Sequence, residues 1–291
     1  MAKKCRILDL PPANALYNTA LDKFLLEKAA QGEFTLAFTR WFPSVLVGRS
    51  QNIALDVDLA ECQKRGIGVM RRLSGGQAVY LDDSYIVFTL AGPRSHFPTK
   101  LDDLRRQICE ASAKALRQLG IPAVFYKPDN LVVDSDRLKT LGNSGQVIKR
   151  EVVAVEASIR YDLPTSGLQE MLAVLRTNGR SLKEFFEPAK RSLACIKHFR
   201  ESYPKLVKAF LAGAIATSYG CEVYNDSLAP EEDVEVHRRA AELAAEPLQD
   251  QPHYTSRGVC YFYLNGRCIV PEIADFLAEV KPSTYLESTI S

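Results

Sequence analysis

The sequence predicts an α/β fold, in which a mixed sheet is flanked by helices, for a chain of 291 residues. Residues 33–40 alternate between apolar and polar side chains, while residues 84–90 and 152–161 are mostly apolar, as expected of half-buried and buried strands. Between them, apolar residues recur at helical spacing over residues 101–119, and Gly120 follows as a stop signal. This mixture of strands and helices favours the α/β class.

The other elements follow in order along the chain. Asn14 opens a helical pattern, residues 43–47 are expected to form a buried neighbour of strand 33–40, and residues 56–65 are helical. Further strands are predicted at residues 123–126, 130–133 and 146–148, and further helices at residues 168–177, 182–186, 203–219, 230–245 and 272–280. Asn265-Gly266 between two apolar runs predicts a β-hairpin.

The bulk composition excludes several classes of protein. Lys and Arg number 37 against 35 Asp and Glu, so the net charge of +2 creates no global field that favours nucleic acid or a membrane surface. No apolar run approaches the ~18 residues of a membrane span, and residues 1–4 lack the apolar core of a signal peptide. Seven cysteines without a C-x-x-C pair are typical of reduced thiols and argue against a zinc site. We therefore expect a soluble, cytoplasmic protein.

Residues 71–83, R-R-L-S-G-G-Q-A-V-Y-L-D-D, hold the most informative motif of the chain. Gly75 and Gly76 let the backbone turn with its N–H groups exposed, which suits the close approach of an anion. Arg71 and Arg72 supply planar donors for phosphate or carboxylate. The pattern is not a Walker loop, because it lacks G-x-x-x-x-G-K-[ST] and no helix follows the glycines. An ordinary Ser-Gly-Gly turn with solvated arginines is the alternative interpretation.

Two neighbouring elements favour the anion-binding interpretation. Residues 48–52, G-R-S-Q-N, end the strand upstream of the motif, and K-T-L-G at residues 139–142 follows the D-N-L-V-V run of residues 129–133. In this order and spacing, the chain resembles the lipoate–protein ligase family, which belongs with the biotin ligases and the octanoyltransferases. The resemblance covers residues 8–160 well and extends more thinly to about residue 257.

The resemblance implies a fold, a reaction and partners. The fold would be the catalytic domain of class II biotin and lipoate ligases, with a largely antiparallel sheet, over residues 1–257. Residues 258–291 would form a short hairpin-helix appendage, an abbreviated accessory module. The reaction would use ATP and Mg²⁺ to attach lipoate or octanoate, through an acyl-adenylate, to a lysine of a lipoyl domain or of a glycine-cleavage H-like protein. A separate small accessory subunit stays open as an alternative source of the missing module.

The resemblance also assigns residue roles. Lys139 matches the family lysine that reaches the α-phosphate and the acyl carbonyl oxygen, and Arg72 matches the motif that holds the adenylate phosphate. The expected nucleotide- and phosphate-binding residues are Arg72, Ser74, Gly75, Gly76, Gln77, Ala78, Val79, Asn130, Lys139 and Gly142. The expected acyl-binding residues are Trp41, Val47, Gly48, Arg49, Gln51, Asn52 and Gly75. Asp129 or Asp134 would hold the divalent metal.

Four positions depart from the family pattern. Gln77 replaces the third glycine, Leu81 replaces a histidine, the Asn-Asp pair is inverted as Asp129-Asn130, and Val155-Glu156-Ala157 replaces His-Gly-Thr. Because Arg72, Ser74, Gly75, Gly76 and Lys139 are retained, we expect a diverged ligase that keeps its adenylating core.

Two alternatives to the ligase stay open. An octanoyl or lipoyl transferase that works without ATP needs a cysteine nucleophile near the lysine, and residues 123–133 contain none. A non-catalytic lipoyl-binding accessory protein would explain the departures, but the retained Lys139 and Arg72 count against it.

Overall fold

In a computed structural model of the chain, the structure describes residues 3–133, 139–177, 179–245, 263–264 and 267–268. The strands are β1 Lys3–Ala13, β2 Thr35–Trp41, β3 Ser44–Val47, β4 Gly68–Arg71, β5 Val79–Leu81, β6 Tyr85–Pro93, β7 Ala123–Tyr126, β8 Asn130–Val133, β9 Lys139–Ile148, β10 Val152–Arg160, β11 Arg176–Thr177, β12 Arg180–Ser181, β13 Cys221–Asp226, β14 Tyr263–Leu264 and β15 Arg267–Cys268. The helices are α1 Ala15–Ala30, α2 Ile53–Asp56, α3 Leu59–Arg65, α4 Leu101–Gln118, α5 Thr165–Val174, α6 Phe186–Ser192, α7 Pro204–Tyr219 and α8 Pro230–Ala245. Short 3₁₀ turns lie at Arg94–His96, Lys183–Phe185 and Ile196–His198.

An eight-stranded sheet of order β13-β1-β2-β6-β10-β9-β8-β7 forms the centre of the fold. β1 runs parallel to both of its neighbours, and every other pairing in this sheet is antiparallel. The predicted mixed, largely antiparallel sheet flanked by helices is therefore confirmed.

A smaller sheet of order β4-β3-β5 stands apart from the large one. The expectation that strand 43–47 lies beside strand 33–40 is wrong, because β2 is already paired with β1 on one side and with β6 on the other. The chain leaves the large sheet at the exposed residues Phe42 and Pro43, and β3 then pairs with β4 and β5.

Helices cover both faces of the large sheet, and local sequence explains where they begin and end. On one face, α4 and α7 bury Leu104, Ile108 and Leu211 in the same cluster as Phe88 of β6. On the other face, α1 packs over β6 and β10, and α8 packs against α1. Asn14 caps α1, since its side chain accepts a hydrogen bond from the Tyr17 N–H group at 2.9 Å. α4 ends just before Gly120, whose φ is +79°, as the predicted stop signal requires.

The largest difference between a predicted and an observed strand concerns β9. The predicted strand began at residue 146, whereas β9 begins at Lys139 and contains the whole K-T-L-G motif. Gly142 lies opposite Ile159 of β10, and a Cβ atom there would come within 2.3 Å of the Ser158 carbonyl oxygen. The glycine therefore permits close contact between two strands, and the motif is part of the sheet.

The carboxyl-terminal hairpin is confirmed as far as the described residues reach. β14 and β15 pair antiparallel, with Tyr263 opposite Cys268 and Leu264 opposite Arg267. The predicted helix at residues 272–280 and the predicted boundary between residues 257 and 258 lie outside the described residues. Over the described ranges, none of the helices is both long enough and apolar enough to cross a bilayer.

Candidate active site

A cavity of about 420 Å³ lies between the small sheet and the α1-covered face of the large sheet. Its lining residues are Asp22, Trp41, Leu46, Arg49, Ser50, Arg72, Leu73, Ser74, Gly75, Gly76, Gln77, Val79, Leu81, Val87, Thr89, Leu101, Arg105, Asp129, Asn143, Ser144, Gly145, Gln146, Val147, Ile148, Lys149, Glu156, Ala157 and Ser158. This volume is within the range of small-molecule sites. Residues 72–77, the SGG loop, form one wall of the cavity.

Arg72 fixes the shape of the SGG loop. The residue is buried, and its guanidinium donates to the carbonyl oxygens of Leu46 at 2.9 Å, Gly75 at 2.6 Å and Gln77 at 2.8 Å. A further bond runs from Nε to the Ser74 hydroxyl oxygen at 3.0 Å. These acceptors are uncharged, so the loop is held in place while the positive charge of Arg72 stays beside the cavity. Four hydrogen bonds of this kind make Arg72 a positioning residue for the loop.

Arg71 holds the neighbouring GRSQN loop, residues 48–52. Its Nη1 donates to the carbonyl oxygens of Gly48 at 3.0 Å, Arg49 at 3.2 Å and Gln51 at 2.9 Å. The backbone N–H of Arg49 donates to the Ser74 carbonyl oxygen at 2.9 Å, which joins the two loops. A Cβ atom on Gly48 would come within 1.9 Å of the Gly76 carbonyl oxygen. Only glycine allows this contact between the loops without a backbone shift.

A chain of polar side chains crosses the cavity wall behind the SGG loop. The Ser74 hydroxyl donates to Glu156 Oε2 at 2.5 Å, and the Thr89 hydroxyl donates to Asp22 Oδ1 at 2.8 Å. Burial raises the pKa of Glu156, although the Ser74 hydrogen bond and the Arg72 charge partly oppose this. Burial and the charge of Glu156 raise the pKa of Asp22 well above its usual range. The two carboxyl groups therefore retain protons more readily than ordinary surface acids.

Cationic side chains lie around the cavity where it meets solvent. Arg49 and Lys149 are exposed, and Arg105 is half-buried with its Nε donating to Gln146 Oε1 at 2.9 Å. Gly75 and Gly76 are also exposed on this side. The rim of the cavity is thus suited to an anionic group, whereas its wall carries the three carboxyl groups of Asp22, Asp129 and Glu156.

Asp129 is the predicted metal ligand that lines the cavity. It is half-buried, and burial raises its pKa while the charges of Arg105 and Arg72 act in the opposite direction. Within the described ranges, no group of three or more His, Cys, Asp or Glu side chains is placed to hold a metal ion. Mg²⁺ commonly uses one or two carboxylates together with phosphate oxygens, so Asp129 would fit a metal that is bound together with a polyphosphate. Asp134, the second candidate, lies outside the described residues.

The structure separates the predicted site residues into two groups. The cavity is lined by Trp41, Arg49, Arg72, Ser74, Gly75, Gly76, Gln77, Val79 and Asp129. Outside its lining lie Val47, Gly48, Gln51, Asn52, Ala78, Asn130, Lys139 and Gly142. Gln51 and Asn52 have structural partners: the Gln51 side chain accepts from the Gly48 N–H group, and Asn52 caps α2.

Lys139 is the first residue of β9. The next residue, Thr140, pairs with Leu193 and accepts a hydrogen bond from the Ala194 N–H group. Burial and the charge of Lys139 lower the pKa of His198, so the lysine ammonium lies within electrostatic range of that ring.

Sequence reasoning missed several residues of the cavity wall, chiefly Asp22, Thr89, Arg105 and Lys149. Asp22 lies within the buried pattern of α1, where a single acidic residue resembles an ordinary polar position of a helix. Glu156 was noted as a departure from the family but received no role. Its signal was a carboxylate in the middle of a buried apolar strand, which requires a specific partner.

The thiols of the described residues do not form a nucleophilic centre at the cavity. None of the described cysteines is part of its lining, and Cys109 is the cysteine that touches it, with Sγ 3.7 Å from the hydroxyl oxygen of the lining residue Ser144. Burial raises the pKa of Cys109 to about 12, which disfavours the thiolate. Cys221 has a lowered pKa because of a hydrogen bond with Cys5, but it lies in β13 at an outer edge of the large sheet.

Comparison with known proteins identifies relatives that are named as ligases and relatives that are named as transferases. A probable lipoate-protein ligase A of Mycoplasma pneumoniae is 25% identical over 198 residues, 67% of this chain and 56% of its own length. The corresponding protein of Mycoplasma genitalium is covered to 50%, so the chain spans about half the length of these two relatives. An octanoyltransferase LipM of Kyrpidia tusciae is 27% identical over 277 residues, 86% of this chain and 98% of its own length.

Solved structures and a protein family complete the comparison. The bipartite lipoate protein ligase of Thermoplasma acidophilum shares the fold with a TM-score of 0.72 at 20% identity, over 84% of this chain and 95% of its own. A lipoate-protein ligase A bound with ATP gives a TM-score of 0.69 at 19% identity, over 84% of this chain and 97% of its own. The family described as lipoyl protein ligase A/B catalytic domain matches residues 14–202. Since this match covers well over half of the 291 residues, the chain belongs to the lipoyl protein ligase A/B catalytic-domain family.

Proposed function

We propose that this protein uses ATP to attach lipoate or octanoate to a lysine of a lipoyl-carrier protein, through an acyl-adenylate. The observation that carries the proposal is the cavity beside the SGG loop, which combines exposed backbone N–H groups and a cationic rim with no cysteine among its described lining residues. Such a site can bind a carboxylate next to a polyphosphate but offers no thiol for a covalent intermediate. We expect the reaction to take place in the cytoplasm.

The two half-reactions place specific demands on these residues. In the first, a carboxylate oxygen of the acid attacks the α-phosphorus of ATP, and the bond to the pyrophosphate oxygen breaks. In the second, the lysine amine of the carrier attacks the mixed anhydride, loses a proton and releases AMP. Both steps concentrate negative charge, which the Gly75 and Gly76 N–H groups and Arg49 of the cavity lining would stabilise. The family resemblance assigns the same role to Lys139, which lies outside that lining. Asp129 would hold a Mg²⁺ ion that neutralises the phosphates.

The partner of the second half-reaction would be a lipoyl domain or a glycine-cleavage H-like protein. A similar fold occurs in the bipartite ligase of Thermoplasma acidophilum, whose structural report includes its E2 lipoyl domain. We propose that residues 1–257 form the catalytic domain and residues 258–291 a short accessory module. A separate small subunit would be required only if the purified chain adenylates the acid but fails to transfer it to a lipoyl domain.

An ATP-independent octanoyltransferase is the second candidate. The LipM relative of Kyrpidia tusciae matches 86% of this chain and 98% of its own length, which favours it. The buried Cys109, whose pKa is raised to about 12, is a poor nucleophile for that route. Acid-dependent exchange of pyrophosphate into ATP therefore separates the two candidates, since only adenylation produces it.

Lys139→Ala tests the proposed chemistry. We expect acid-dependent ATP–pyrophosphate exchange by the wild-type chain, and a decrease of about two orders of magnitude or more in the variant, because an oxyanion donor is lost. Lys190→Ala, which removes an exposed lysine of α6, is the matched control and should exchange at the wild-type rate. Unchanged exchange by Lys139→Ala would remove this lysine from the mechanism.

A further inference from the structure

The interior of the cavity has two chemically different parts. Trp41, Leu46, Val79, Leu81 and Val87 form an apolar part, and all five are buried in the protein. The second part carries Asp22 and Glu156 together with Thr89 and Ser74.

The sheet register places the acidic part beneath α1. Glu156 of β10 lies directly opposite Thr89 of β6 on one side and Gly145 of β9 on the other. Asp22 of α1 lies over these three positions, since its side chain accepts the hydrogen bond of the Thr89 hydroxyl. A Cβ atom on Gly145 would come within 2.9 Å of the Ser74 hydroxyl oxygen, so the glycine makes room for the contact between Ser74 and Glu156.

One oxygen of this acidic part has unused hydrogen-bonding capacity. Glu156 Oε1 is buried, and none of the described residues donates a hydrogen bond to it. A buried acceptor without a donor costs about 1–3 kcal/mol. A partner from outside the described protein residues, or a proton held by the carboxyl pair, would relieve that cost.

The charge distribution orients an acid that enters the cavity. Its carboxylate would be attracted by the exposed Arg49 and Lys149 at the rim, whereas the buried carboxyl groups of Asp22 and Glu156 offer it no cation. The carboxylate therefore lies at the rim and the tail points inward, toward both the apolar side chains and the two carboxyl groups. A plain alkyl tail would cover the carboxyls without satisfying them, whereas a tail with an O–H, S–H or N–H group could donate to them.

Resting on the proposed function, we propose that the cavity selects a medium-chain acid whose tail carries a hydrogen-bond donor over the plain alkyl acid. Glu156 and Asp22 are the specificity-determining residues, because they accept from that donor. The apolar part of the cavity holds the acyl chain of the acid, and the acidic part selects the group at the far end of that acyl chain.

Equilibrium binding without ATP tests this selection. Trp41 is the single tryptophan of the chain and lines the cavity, so its fluorescence reports binding of octanoate and of 8-hydroxyoctanoate directly. The wild-type chain should bind 8-hydroxyoctanoate about tenfold more tightly, as one added hydrogen bond in the buried cavity implies. Glu156→Ala should lose or reverse this preference, while Glu110→Ala, which removes an exposed glutamate of α4, should keep it.

Equal or tighter binding of octanoate by the wild-type chain would overturn the proposal, as would an unchanged preference in Glu156→Ala. If Glu156→Ala does not fold, Asp22→Asn provides the same comparison, and its preference should also fall. Because the measurement omits ATP, it is independent of adenylation. A preference for the hydroxy acid without any ATP–pyrophosphate exchange would support the selectivity and contradict the proposed function.

Discussion

Arg6 and Arg72 are both buried arginines of this protein, yet they have opposite kinds of partner. Arg6 forms a two-pronged hydrogen-bonded ion pair with Glu232, at 2.9 and 2.7 Å, and a second ion pair with Asp226 at 2.8 Å. Arg72 instead donates to three backbone carbonyl oxygens and to the Ser74 hydroxyl. Arg6 therefore contacts carboxylates directly, whereas the charge of Arg72 acts on the carboxyl groups of Asp129 and Glu156, which line the cavity.

The pKa values of the neighbouring carboxyl groups differ accordingly. The hydrogen bond from Arg6 lowers the pKa of Glu232 to about 2. Burial raises the pKa of Glu156, because the Ser74 hydrogen bond and the Arg72 charge offset its desolvation only in part. The first arrangement stabilises the contact between β1 and α8, and the second leaves Glu156 Oε1 without a donor among the described residues in the cavity that we propose as the ligand site.

Arg6→Met should have the largest effect on stability. Removing Arg6 from this largely buried ion-pair cluster leaves Glu232 with Lys28, at 3.6 Å, as its cationic partner, at a cost of about 3 kcal/mol in the free energy of unfolding. Chemical denaturation measures this change. Arg238→Met removes a surface arginine that pairs with Glu235 and Glu242 and should leave the denaturation midpoint unchanged. If Arg6→Met lowered the free energy of unfolding no more than Arg238→Met does, the ion pairs of Arg6 would not stabilise the protein.

The same variant should show a defined pH dependence. Because the folded pKa of Glu232 lies below its usual value of 4.5, the pairing stabilises the protein above that pH and is lost as the pH falls toward about 2. The cost of Arg6→Met should therefore be greatest near pH 7 and smaller near pH 3. A cost that is independent of pH would show that packing, and not charge, determines the effect.

Arg72→Met should have an intermediate effect on stability and a large one on activity. Its removal leaves the carbonyl oxygens of Leu46, Gly75 and Gln77 without their donors, at about 1–3 kcal/mol in the free energy of unfolding. Acid-dependent exchange should fall about a hundredfold or more, since the SGG loop loses both its shape and a positive charge. An intact exchange rate in a folded variant would contradict the positioning role.

Glu156→Gln should have the smallest effect on stability, and it should stabilise the protein where the two arginine variants destabilise it. Because the folded pKa of Glu156 is raised, the wild-type residue favours the folded state at acidic pH and disfavours it as the pH rises above its usual value of 4.5. The amide does not ionise, so the variant should melt a few degrees above the wild type at pH 8 and show little gain at pH 5. A lower Tm at pH 8 would indicate that the carboxylate is fully compensated.

The sequence predicted the parts of the fold in which hydrophobic periodicity is strong. β6, β10 and α4 lie close to their predicted bounds, because each presents a regular apolar pattern to the core. β9 was underestimated, since Gly142 and Gly145 reduce strand propensity and become informative only through their contacts with β10 and Ser74.

The sequence motifs predicted which residues lie at the candidate site, but not the directions in which their side chains point. The SGG loop, Trp41 and Arg49 do line the cavity, yet a motif does not show that Arg72 turns toward carbonyl oxygens of its own loop. Asp22 and Thr89 were missed because only the folded sheet brings α1 and β6 to the same row as Glu156. Contacts between distant segments, unlike periodicity, have no local signature in the sequence.

We propose that the acyl group is activated as an adenylate and not as a thioester. Mass spectrometry of the purified chain, incubated with octanoate, ATP and Mg²⁺ in the absence of a carrier, tests it most directly. We expect octanoyl-adenylate among the small molecules, strictly dependent on ATP, and no added mass on the protein. Absence of the adenylate, together with an octanoyl adduct on a cysteine in a parallel incubation with an octanoylated carrier protein and no ATP, would instead identify the protein as a transferase.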